Sequence, residues 1–333
     1  MKAAYIAQTG GPEVIQYGDL PDPRPGDHQV LVKTHAVAVN PIDTYVRGGA
    51  NFWPLPQPFI VGCDIAGSVV AVGSAVKQFQ VGDRVWGSNQ GLLGRQGTFA
   101  ELCAIDAQWL YPIPEGVSDR DAAAVALVAI TAHLGLFREA QLKAGQTLFV
   151  RGGTGGVGSM VVQMAKAAGA TVIATAGGPE KAARCRQLGA DHVLDYTQVD
   201  LSAALAEVAP AGVNVFWETL REPDLDLAVG SLAERGRIIV MAGRDARPPL
   251  PLGPFYVKGC SMHGFAMFKA TAEEQRTCAS DINHWLATGR LKTVIDRTMP
   301  LSQAAEAHRL QEAHTLAKQS SLTGKLVLVP QGI

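Results

Sequence analysis

The arrangement of apolar and polar positions changes near residue 119. Before it, short apolar runs alternate with turns rich in Gly and Pro, which is typical of an all-β domain. The strands predicted there are Gln29–Ala38, Ile65–Val72, 84–86 and 99–104. After it, an Ala- and Leu-rich stretch at 121–140 is predicted to be helical, with Ser118 or Asp119 as its N-cap.

Apolar runs and helix-type patterns then alternate as far as residue 241. The predicted strands are 147–150, 171–175, 192–194, 213–217 and 237–241, and the predicted helices between them are 156–168, 179–188, 201–208 and 224–232. Such alternation implies a doubly wound parallel sheet with helices on both faces, and hence an α/β fold. Two more helices are predicted at 272–288 and 303–314, and a closing strand at 324–329.

A glycine cluster lies where the first of these strands meets its helix. Gly153, Gly155 and Gly158 fit the pattern G-x-G-x-x-G, and four glycines occur in the six residues 153–158. Glycine allows a sharp turn and lets the backbone approach a pyrophosphate, while the N–H groups of the following helix attract that anion. A tight turn without a ligand is the alternative, although it would not need so many glycines.

The end of the second strand bears on the choice of dinucleotide. NAD-binding folds hold the ribose 2′-OH with an Asp or Glu about twenty residues beyond the glycines. Here the strand ends in Thr175-Ala176-Gly177-Gly178, without an acid, and Lys181 follows. The lysine would form a charge-assisted hydrogen bond with a 2′-phosphate. An equally weighted alternative is that Lys181 is simply a solvated helix residue.

Composition narrows the class of protein. A chain of 333 residues that is 47% apolar suggests two domains with large cores. The formal net charge of −1 gives no basic surface for nucleic acid or anionic membrane. The longest unbroken apolar run, 122–132, is too short to span a bilayer, and the first residues lack the apolar core of a secretory signal. Five scattered cysteines without C-x-x-C indicate a reduced, cytoplasmic protein.

Several segments together resemble one family over almost the whole length. They are 39–47 (VNPIDTYVR), 62–67 (GCDIAG), 82–85 (GDRV), 97–101 (GTFAE), 188–191 (LGAD) and the glycine cluster. On these the chain resembles the zeta-crystallin-like quinone oxidoreductases of the medium-chain dehydrogenase/reductase superfamily. The resemblance implies a Rossmann domain at 123–262 and a discontinuous GroES-like catalytic domain at 1–122 and 263–333, with the active site expected in the cleft between them.

The resemblance also implies cofactor, site residues and assembly. The cofactor would be NADPH, and a homodimer would form through residues 257–265. The implied catalytic residues are Asn40, Asp43 and Tyr45. Tyr45 or Asn40 would donate a hydrogen bond to the developing oxyanion; Tyr45 would otherwise protonate it or form a wall for a flat substrate, and Asp43 would orient Asn40 or the cofactor. The implied cofactor-binding residues are Asn40, Thr131, Gly153, Gly155, Gly156, Val157, Gly158, Thr175, Gly178, Lys181, Tyr196, Gly243, Phe265 and Lys325.

The ligands of the superfamily's zinc enzymes are missing. Gly62-Cys63-Asp64 replaces Gly-His-Glu, and segments 38–43, 87–97 and 128–133 contain no cysteine. We therefore expect no metal; a site made of Cys63 with Asp64 or Asp43 is the alternative, although a lone cysteine is more often a small buried apolar residue. Without a Lewis acid the acceptor must itself be electron-poor, as quinones and conjugated enones are.

Two other functions and two departures from the family pattern stay open. An enoyl-thioester reductase is one alternative, and a crystallin-like or RNA-binding role without catalysis is the other, although the charge argues against RNA. Arg151 stands where relatives often have a small residue or His. Residues 217–221 (WETLR) replace a glycine-containing turn, so the loop that faces the cofactor is expected to differ.

Overall fold

A computed structural model of the protein describes residues 1–316 and 322–331. The contacts between residues divide the chain into two units: residues 1–127 with the chain from 270 onward, and residues 128–269. The two divisions lie five and seven residues after those predicted from sequence, which began the middle domain at 123 and ended it at 262. The predicted and the observed start of the middle unit both lie inside one helix, Asp119–His133.

Sixteen strands and nine helices are found within the described residues. The strands are β1 (Lys2–Ile6), β2 (Gln16–Asp19), β3 (Gln29–Ala38), β4 (Phe59–Ile60), β5 (Ile65–Val72), β6 (Arg84–Gly87), β7 (Leu102–Asp106), β8 (Leu110–Pro112), β9 (Thr147–Val150), β10 (Thr171–Ala176), β11 (His192–Asp195), β12 (Val213–Glu218), β13 (Leu232–Val240), β14 (Ser261–Gly264), β15 (Ile295–Pro300) and β16 (Lys325–Val329). The helices are α1 (Pro41–Arg47), α2 (Asp119–His133), α3 (Gly156–Ala167), α4 (Pro179–Gln187), α5 (Leu201–Val208), α6 (Leu225–Ser231), α7 (Leu252–Val257), α8 (Ala272–Ala287) and α9 (Ala304–Thr315).

The unit at 128–269 is built on a parallel sheet. Its strand order is β11-β10-β9-β12-β13-β14, so the chain moves outward on one side of β9 and then returns to the other side with β12. The predicted doubly wound sheet is thus confirmed. Phe149 and Phe216 pack with ring centroids 4.8 Å apart at the centre of its core, next to Ile173 and Ile238. Ligands of such sheets bind at the carboxyl ends of the strands where the order reverses, here between β9 and β12.

The other unit is β-rich, as the turn-punctuated pattern predicts. A seven-stranded sheet has the order β15-β16-β3-β5-β6-β8, with β7 also paired to β3, and a three-stranded sheet has the order β2-β1-β4. β16 pairs antiparallel with the end of β3, at Val37 and Ala38. Residues from both ends of the chain therefore meet where β3 gives way to α1.

Local differences from the predicted elements have identifiable causes. The strand predicted at 99–104 begins at Leu102, because Ala100 bridges to Ala3 and the Phe99 carbonyl accepts from Ala4 N at 2.7 Å. Helix α1 was not predicted as an element, although Asn40 followed by Pro41 is a helix-start signal.

The helical segment Asp119–Glu139 is long and apolar enough, by composition alone, to cross a membrane. However, 78% of its most apolar window is buried in the fold, as expected of a core helix. Gly135 shows how tightly it packs: a Cβ there would lie 2.1 Å from the Trp217 ring.

Candidate active site and cofactor-binding loops

Asn40 and Asp43 open helix α1 and bind each other. The backbone N–H of Asn40 donates to Asp43 Oδ2 at 2.7 Å, and both residues are buried. Pro41 occupies the first helical position, where a missing N–H costs nothing. This bond favours the prediction that Asp43 orients Asn40, one of the two roles that the sequence analysis left open for it.

A buried polar network surrounds the Asn40 side chain. Its amide nitrogen donates to Asp64 Oδ2 at 2.7 Å and, more weakly, to the Ala38 carbonyl at 3.4 Å, while its amide oxygen accepts from Lys325 Nζ. Ser88 Oγ donates to Asp64 Oδ1 at 2.7 Å. Because both N–H groups of the Asn40 amide are engaged, Asn40 has no spare donor for a substrate oxyanion. It acts as a link in the network.

Lys325 is the cation of this network. Its ammonium also donates to the Val39 carbonyl at 2.7 Å, and the residue is buried at the start of β16. Burial lowers the pKa of Lys325, while the nearby charges of Asp64 and Asp43 raise it. Burial likewise raises the pKa of Asp64 to about 6 and that of Asp43 to about 7. The site therefore holds two carboxyl groups that titrate near neutrality beside one ammonium.

The donor set does not fit a catalytic zinc ion. Zinc takes thiolate, imidazole or carboxylate ligands that converge on an open position. Here the Asp64 carboxylate already binds Asn40 and Ser88, and burial raises the pKa of the Cys63 thiol well above its usual value, which disfavours the thiolate. Within residues 1–316 and 322–331, no group of three or more His, Cys, Asp or Glu side chains is placed to hold a metal.

Tyr45 lies one helical step beyond this network. It is half-buried in α1, and its backbone carbonyl accepts from Ala50 N at 2.9 Å. Tyr45 follows Asp43 by two residues in the same helix.

The glycine turn has no room for a side chain at two of its positions. A Cβ at Gly158 would lie 2.1 Å from the Gly152 carbonyl, and one at Gly153 would lie 2.8 Å from both Ala174 Cβ and Cys185 Sγ. Gly155 is the N-cap of α3, whose first residues are Gly156 and Val157. Binding of a pyrophosphate by backbone N–H groups at the start of α3 stays a prediction from the sequence motif.

Thr175 binds the glycine turn in addition to the cofactor-binding role expected of it, which stays a prediction. Its hydroxyl accepts from Gly152 N at 2.8 Å and its carbonyl accepts from Gly153 N at 3.0 Å. The side chain therefore fastens the glycine turn to β10, and any contact with a ribose would be additional.

An acid missed by the sequence analysis lies beside the end of β10. The expected position of the acid was the end of the second strand, β10. Asp195 instead lies at the end of the adjacent β11 and accepts from Gly178 N at 3.1 Å. Hydrogen bonds from Thr197 and Gly178 lower the pKa of Asp195. Gly178 is the N-cap of α4 with φ of 85°, and Lys181 is half-buried in the first turn of that helix. The Asp195 carboxylate and the first turn of α4, which carries Lys181, thus meet at Gly178, next to the expected ribose position.

The remaining predicted cofactor residues lie around this sheet edge. Tyr196 is exposed, and its hydroxyl lies where Gly177 has no Cβ: an added Cβ would be 2.5 Å away. Gly243 has φ of 81° and packs on the Arg221 carbonyl. The rings of Phe265 and Trp217 pack edge to face, with their centroids 6.4 Å apart. Thr131 is buried in α2.

Comparisons with known proteins agree with this geometry. Residues 26–115 match the family described as "Alcohol dehydrogenase GroES-like domain", and residues 156–282 match "Zinc-binding dehydrogenase". A quinone oxidoreductase from Sus scrofa is 34% identical, with 99% of this chain and 98% of that protein covered. An "NADPH-dependent alkenal/one oxidoreductase, chloroplastic" from Arabidopsis thaliana is 30% identical, covering 99% of this chain and 80% of that protein.

Solved structures give the same result. An Escherichia coli quinone oxidoreductase complexed with NADPH superposes with a TM-score of 0.85 at 27% identity, covering 99% of this chain and 100% of the other. An NAD-dependent alcohol dehydrogenase superposes with a TM-score of 0.89 at 30% identity, covering 99% of each chain. The chain belongs to the quinone oxidoreductase family of the medium-chain dehydrogenase/reductase superfamily. The expected family, its α/β fold and its oxidoreductase class are thereby confirmed.

Two residues of the network were not predicted as site residues. Asp64 was considered only as a metal ligand, and Ser88 was not considered. The signal for Asp64 was its place in the motif 62–67, directly after the position of the usual zinc-binding His. Ser88 carries no sequence signal, because its role depends on β5 and β6 being neighbours in the sheet.

Proposed function

We propose that the protein transfers a hydride from NADPH to quinones or related conjugated carbonyl compounds without a metal. The observation that carries this proposal is the Lys325–Asn40–Asp64 network: the Asp64 carboxylate, next to the position of the usual zinc-binding His, is already bound by Asn40 and Ser88. Membership of the quinone oxidoreductase family supports the same acceptor class. An electron-poor acceptor needs positioning and a hydrogen bond to its developing oxyanion, which protein groups supply without a Lewis acid.

Each unit has its own part in this proposal. The cofactor supplies the hydride when bound. The glycine turn at 152–158 would hold its pyrophosphate, and Lys181 would bind the 2′-phosphate. In the other unit the Tyr45 hydroxyl is the proposed donor to the acceptor's oxyanion, since the amide donors of Asn40 are engaged. Asp43 and Asp64 fix α1, which carries Tyr45, relative to the β-rich sheet.

The choice of NADPH rests on Lys181 and is opposed by Asp195. A relative of known structure was solved with NADPH, and another is described as NAD-dependent, so family membership does not decide between them. We favour NADPH because no acid follows the second strand directly and because Asp195 already accepts from Gly178 and Thr197.

Reduction of alkenals or enones is the second candidate. The similarity to a plant alkenal/one oxidoreductase over 99% of this chain favours it. Both reactions place a hydride on a conjugated carbonyl system, so the site described above would serve either. The two differ in the size and planarity of the acceptor.

An acceptor screen tests both candidates. Purified protein, NADPH and a panel of quinones, enones and enoyl thioesters would be followed by loss of reduced cofactor, with and without a chelator. We expect turnover with quinones or enones that the chelator leaves unchanged. Turnover only with simple, unconjugated aldehydes, or loss of activity with the chelator, would contradict the proposal. A salt-dependent gel shift with RNA would indicate the alternative, an RNA-binding role without catalysis.

Assembly as a homodimer in the cytoplasm completes the proposal. β14 is the outermost strand of the parallel sheet, and helix α7 next to it exposes Leu252, Tyr256 and Val257. Pairing of two such edges across a two-fold axis would cover this apolar surface. All five cysteines are free thiols, which supports a reducing compartment.

A further inference from the structure

Arg151 and Glu218 form an ion pair at the point where the strand order of the parallel sheet reverses. Arg151 directly follows β9, and Glu218 is the last residue of its neighbour β12. Arg151 Nη1 donates to Glu218 Oε2 at 3.2 Å. The side chains are 16% and 2% exposed, so the carboxylate is buried and the guanidinium nearly so.

Further hydrogen bonds reinforce the contact between the two loops. Arg151 N donates to the Trp217 carbonyl at 3.1 Å, and Thr219 Oγ1 donates to the Arg151 carbonyl at 2.7 Å. The second oxygen of Glu218 accepts from Leu220 N at 2.8 Å. The residue that opens the glycine turn is thus joined to the start of the loop that follows β12.

The loop after β12 reaches further along the sheet edge. A Cβ on Gly243 would lie 2.7 Å from the Arg221 carbonyl, so the loop after β13 packs directly on this one. Asp224, where the loop ends, is the N-cap of α6 and accepts from Leu227 N at 2.9 Å. A change in the position of residues 219–223 would therefore move the contact surface at Gly243 as well.

The pair joins two features that sequence analysis had treated as unrelated departures. A buried carboxylate is costly unless a partner compensates its charge, and Glu218 has Arg151 as that partner. Burial raises the pKa of Glu218 even so, with Arg151 as the main opposing influence. Arg151 and Glu218 thus form one charge-compensated unit in this chain.

We propose that Arg151 and Glu218 are positioning residues that hold the loop at 219–223 for the nicotinamide half of the cofactor. This inference rests on the proposed NADPH-dependent function. The adenosine half is expected beyond the glycine turn at β10, near Lys181, so the other half must extend across the reversal point toward β12. The pair therefore affects binding of the whole cofactor and leaves binding of its adenosine half unaltered.

Two ligands separate these effects. Adenosine 2′,5′-bisphosphate contains adenosine with its 2′- and 5′-phosphates and lacks the nicotinamide half, whereas NADPH contains both halves. Their dissociation constants would be measured by calorimetry for wild type, Arg151→Gln and Glu218→Gln, together with kcat and KM for a quinone. A charge-assisted bond corresponds to roughly ten- to a hundredfold in affinity. We expect NADPH affinity to fall by about tenfold or more in each variant, with the affinity for the bisphosphate within about twofold.

Glu218→Gln is the deciding variant if Arg151→Gln, which leaves a buried carboxylate unpaired, does not fold. The glutamine has nearly the same shape, is neutral, and keeps an acceptor for Leu220 N. Lys166→Gln is the matched control: it breaks the Lys166–Asp191 pair of 2.8 Å in the same unit, at the opposite edge of the sheet, and should change neither affinity. In the double variant Arg151→Gln/Glu218→Gln, two amides can pair again without charge, and most of the NADPH affinity should return.

Equal loss of affinity for both ligands would overturn the proposal, since it would indicate general damage to the unit. Unchanged NADPH affinity in Glu218→Gln would overturn it too. If wild type binds both ligands and the variants bind them with the same affinities, the positioning role is refuted and the NADPH-dependent function is not. A wild type that binds neither ligand refutes the NADPH-dependent function as well as this inference.

Discussion

The side-chain amide of Asn40 donates to the Asp64 carboxylate at 2.7 Å, and neither residue is accessible to solvent. The oxygen of the same amide accepts from Lys325, so the amide bridges the ammonium and the carboxylate through two hydrogen bonds. Such a chain is stable only when every member has its partner, because each lost bond leaves a polar group buried without compensation.

Replacing Lys325 by methionine should destabilise the protein strongly. The substitution keeps the volume but leaves Asp43 and Asp64 buried without a cation, and breaking a buried pair costs about 3–5 kcal/mol. The free energy of unfolding from urea denaturation measures the effect. The matched control Lys166→Met removes an ammonium whose partner Asp191 is about one-third exposed, and should cost less than about 1 kcal/mol.

Adding Asp64→Asn to Lys325→Met should recover part of the lost stability. The asparagine removes the charge that the methionine leaves uncompensated, so the double variant would be more stable than Lys325→Met. If the two substitutions were simply additive, the Lys325–Asn40–Asp64 network would not be an energetic unit.

Replacing Lys181 by alanine should reduce the preference for NADPH. A lysine contact with the 2′-phosphate contributes about 1.5–3 kcal/mol, or roughly ten- to a hundredfold in affinity. We expect kcat/KM for NADPH to fall by that factor while kcat/KM for NADH changes little. Both must be measured at one ionic strength, since salt screens the contact.

The reciprocal variant is Asp195→Asn, which removes the carboxylate beside Gly178 N. It should favour NADPH further, because the negative charge repels a 2′-phosphate. Wild type that uses NADH as well as NADPH, or Lys181→Ala that impairs both equally, would contradict the assignment of Lys181.

Replacing His308 by leucine should flatten the acid side of the stability profile. His308 is fully buried against the Phe99 ring, and burial lowers its pKa to about 3, with Arg47 adding to the effect. The unfolded chain binds the proton near pH 6.5, so the stability present above that pH is lost as the pH falls from 6.5 toward 3. At pH 5 the loss from this group is about 2 kcal/mol.

The measurement is the free energy of unfolding at several pH values between 5 and 7 for wild type and variant. The pH dependence of stability that Asp43 and Asp64 contribute has the opposite sign. Because their pKa values are raised, their contribution to stability is lost as the pH rises through about 6 to 7. The difference between the two proteins isolates His308. A difference that does not change with pH would show that the histidine does not titrate in this way.

Replacing Val257 by aspartate should separate the proposed dimer. Val257 is 71% exposed at the end of α7, close in sequence to the outer strand β14. A charge there would be buried without a partner in a two-fold contact. Light scattering at micromolar concentration should give twice the chain mass for wild type and one chain mass for Val257→Asp. The control Val81→Asp changes a valine that is 64% exposed in the other unit and should remain dimeric.

The alternating part of the chain was predictable because its signals are local. The strand Thr147–Val150, the helix Leu201–Val208 and the glycine turn between β9 and α3 have the expected bounds, and each depends on periodicity and glycine within a few residues. The family motif likewise identified Asn40 and Asp43, which the structure brings into one hydrogen-bonded pair.

Residues that depend on neighbouring strands were not predictable in this way. Ser88 reaches Asp64 because β5 and β6 pair, and Asp195 reaches Gly178 because β10 and β11 pair. The Arg151–Glu218 contact requires the reversal of strand order between β9 and β12. A single sequence contains each residue but not the register that brings the two together.

The pairing of β16 with β3 has a consequence for the order in which the protein can mature. Lys325 and Asn40 are 285 residues apart in sequence, so the ribosome must release nearly all of that intervening chain before the ammonium can meet the amide. The unit at 128–269 is continuous and can fold while the rest is still being synthesised. Until β16 emerges, Asp43 and Asp64 have no counter-charge, and the nascent β-rich unit must keep them hydrated. Its final compaction must therefore wait until β16 has been synthesised.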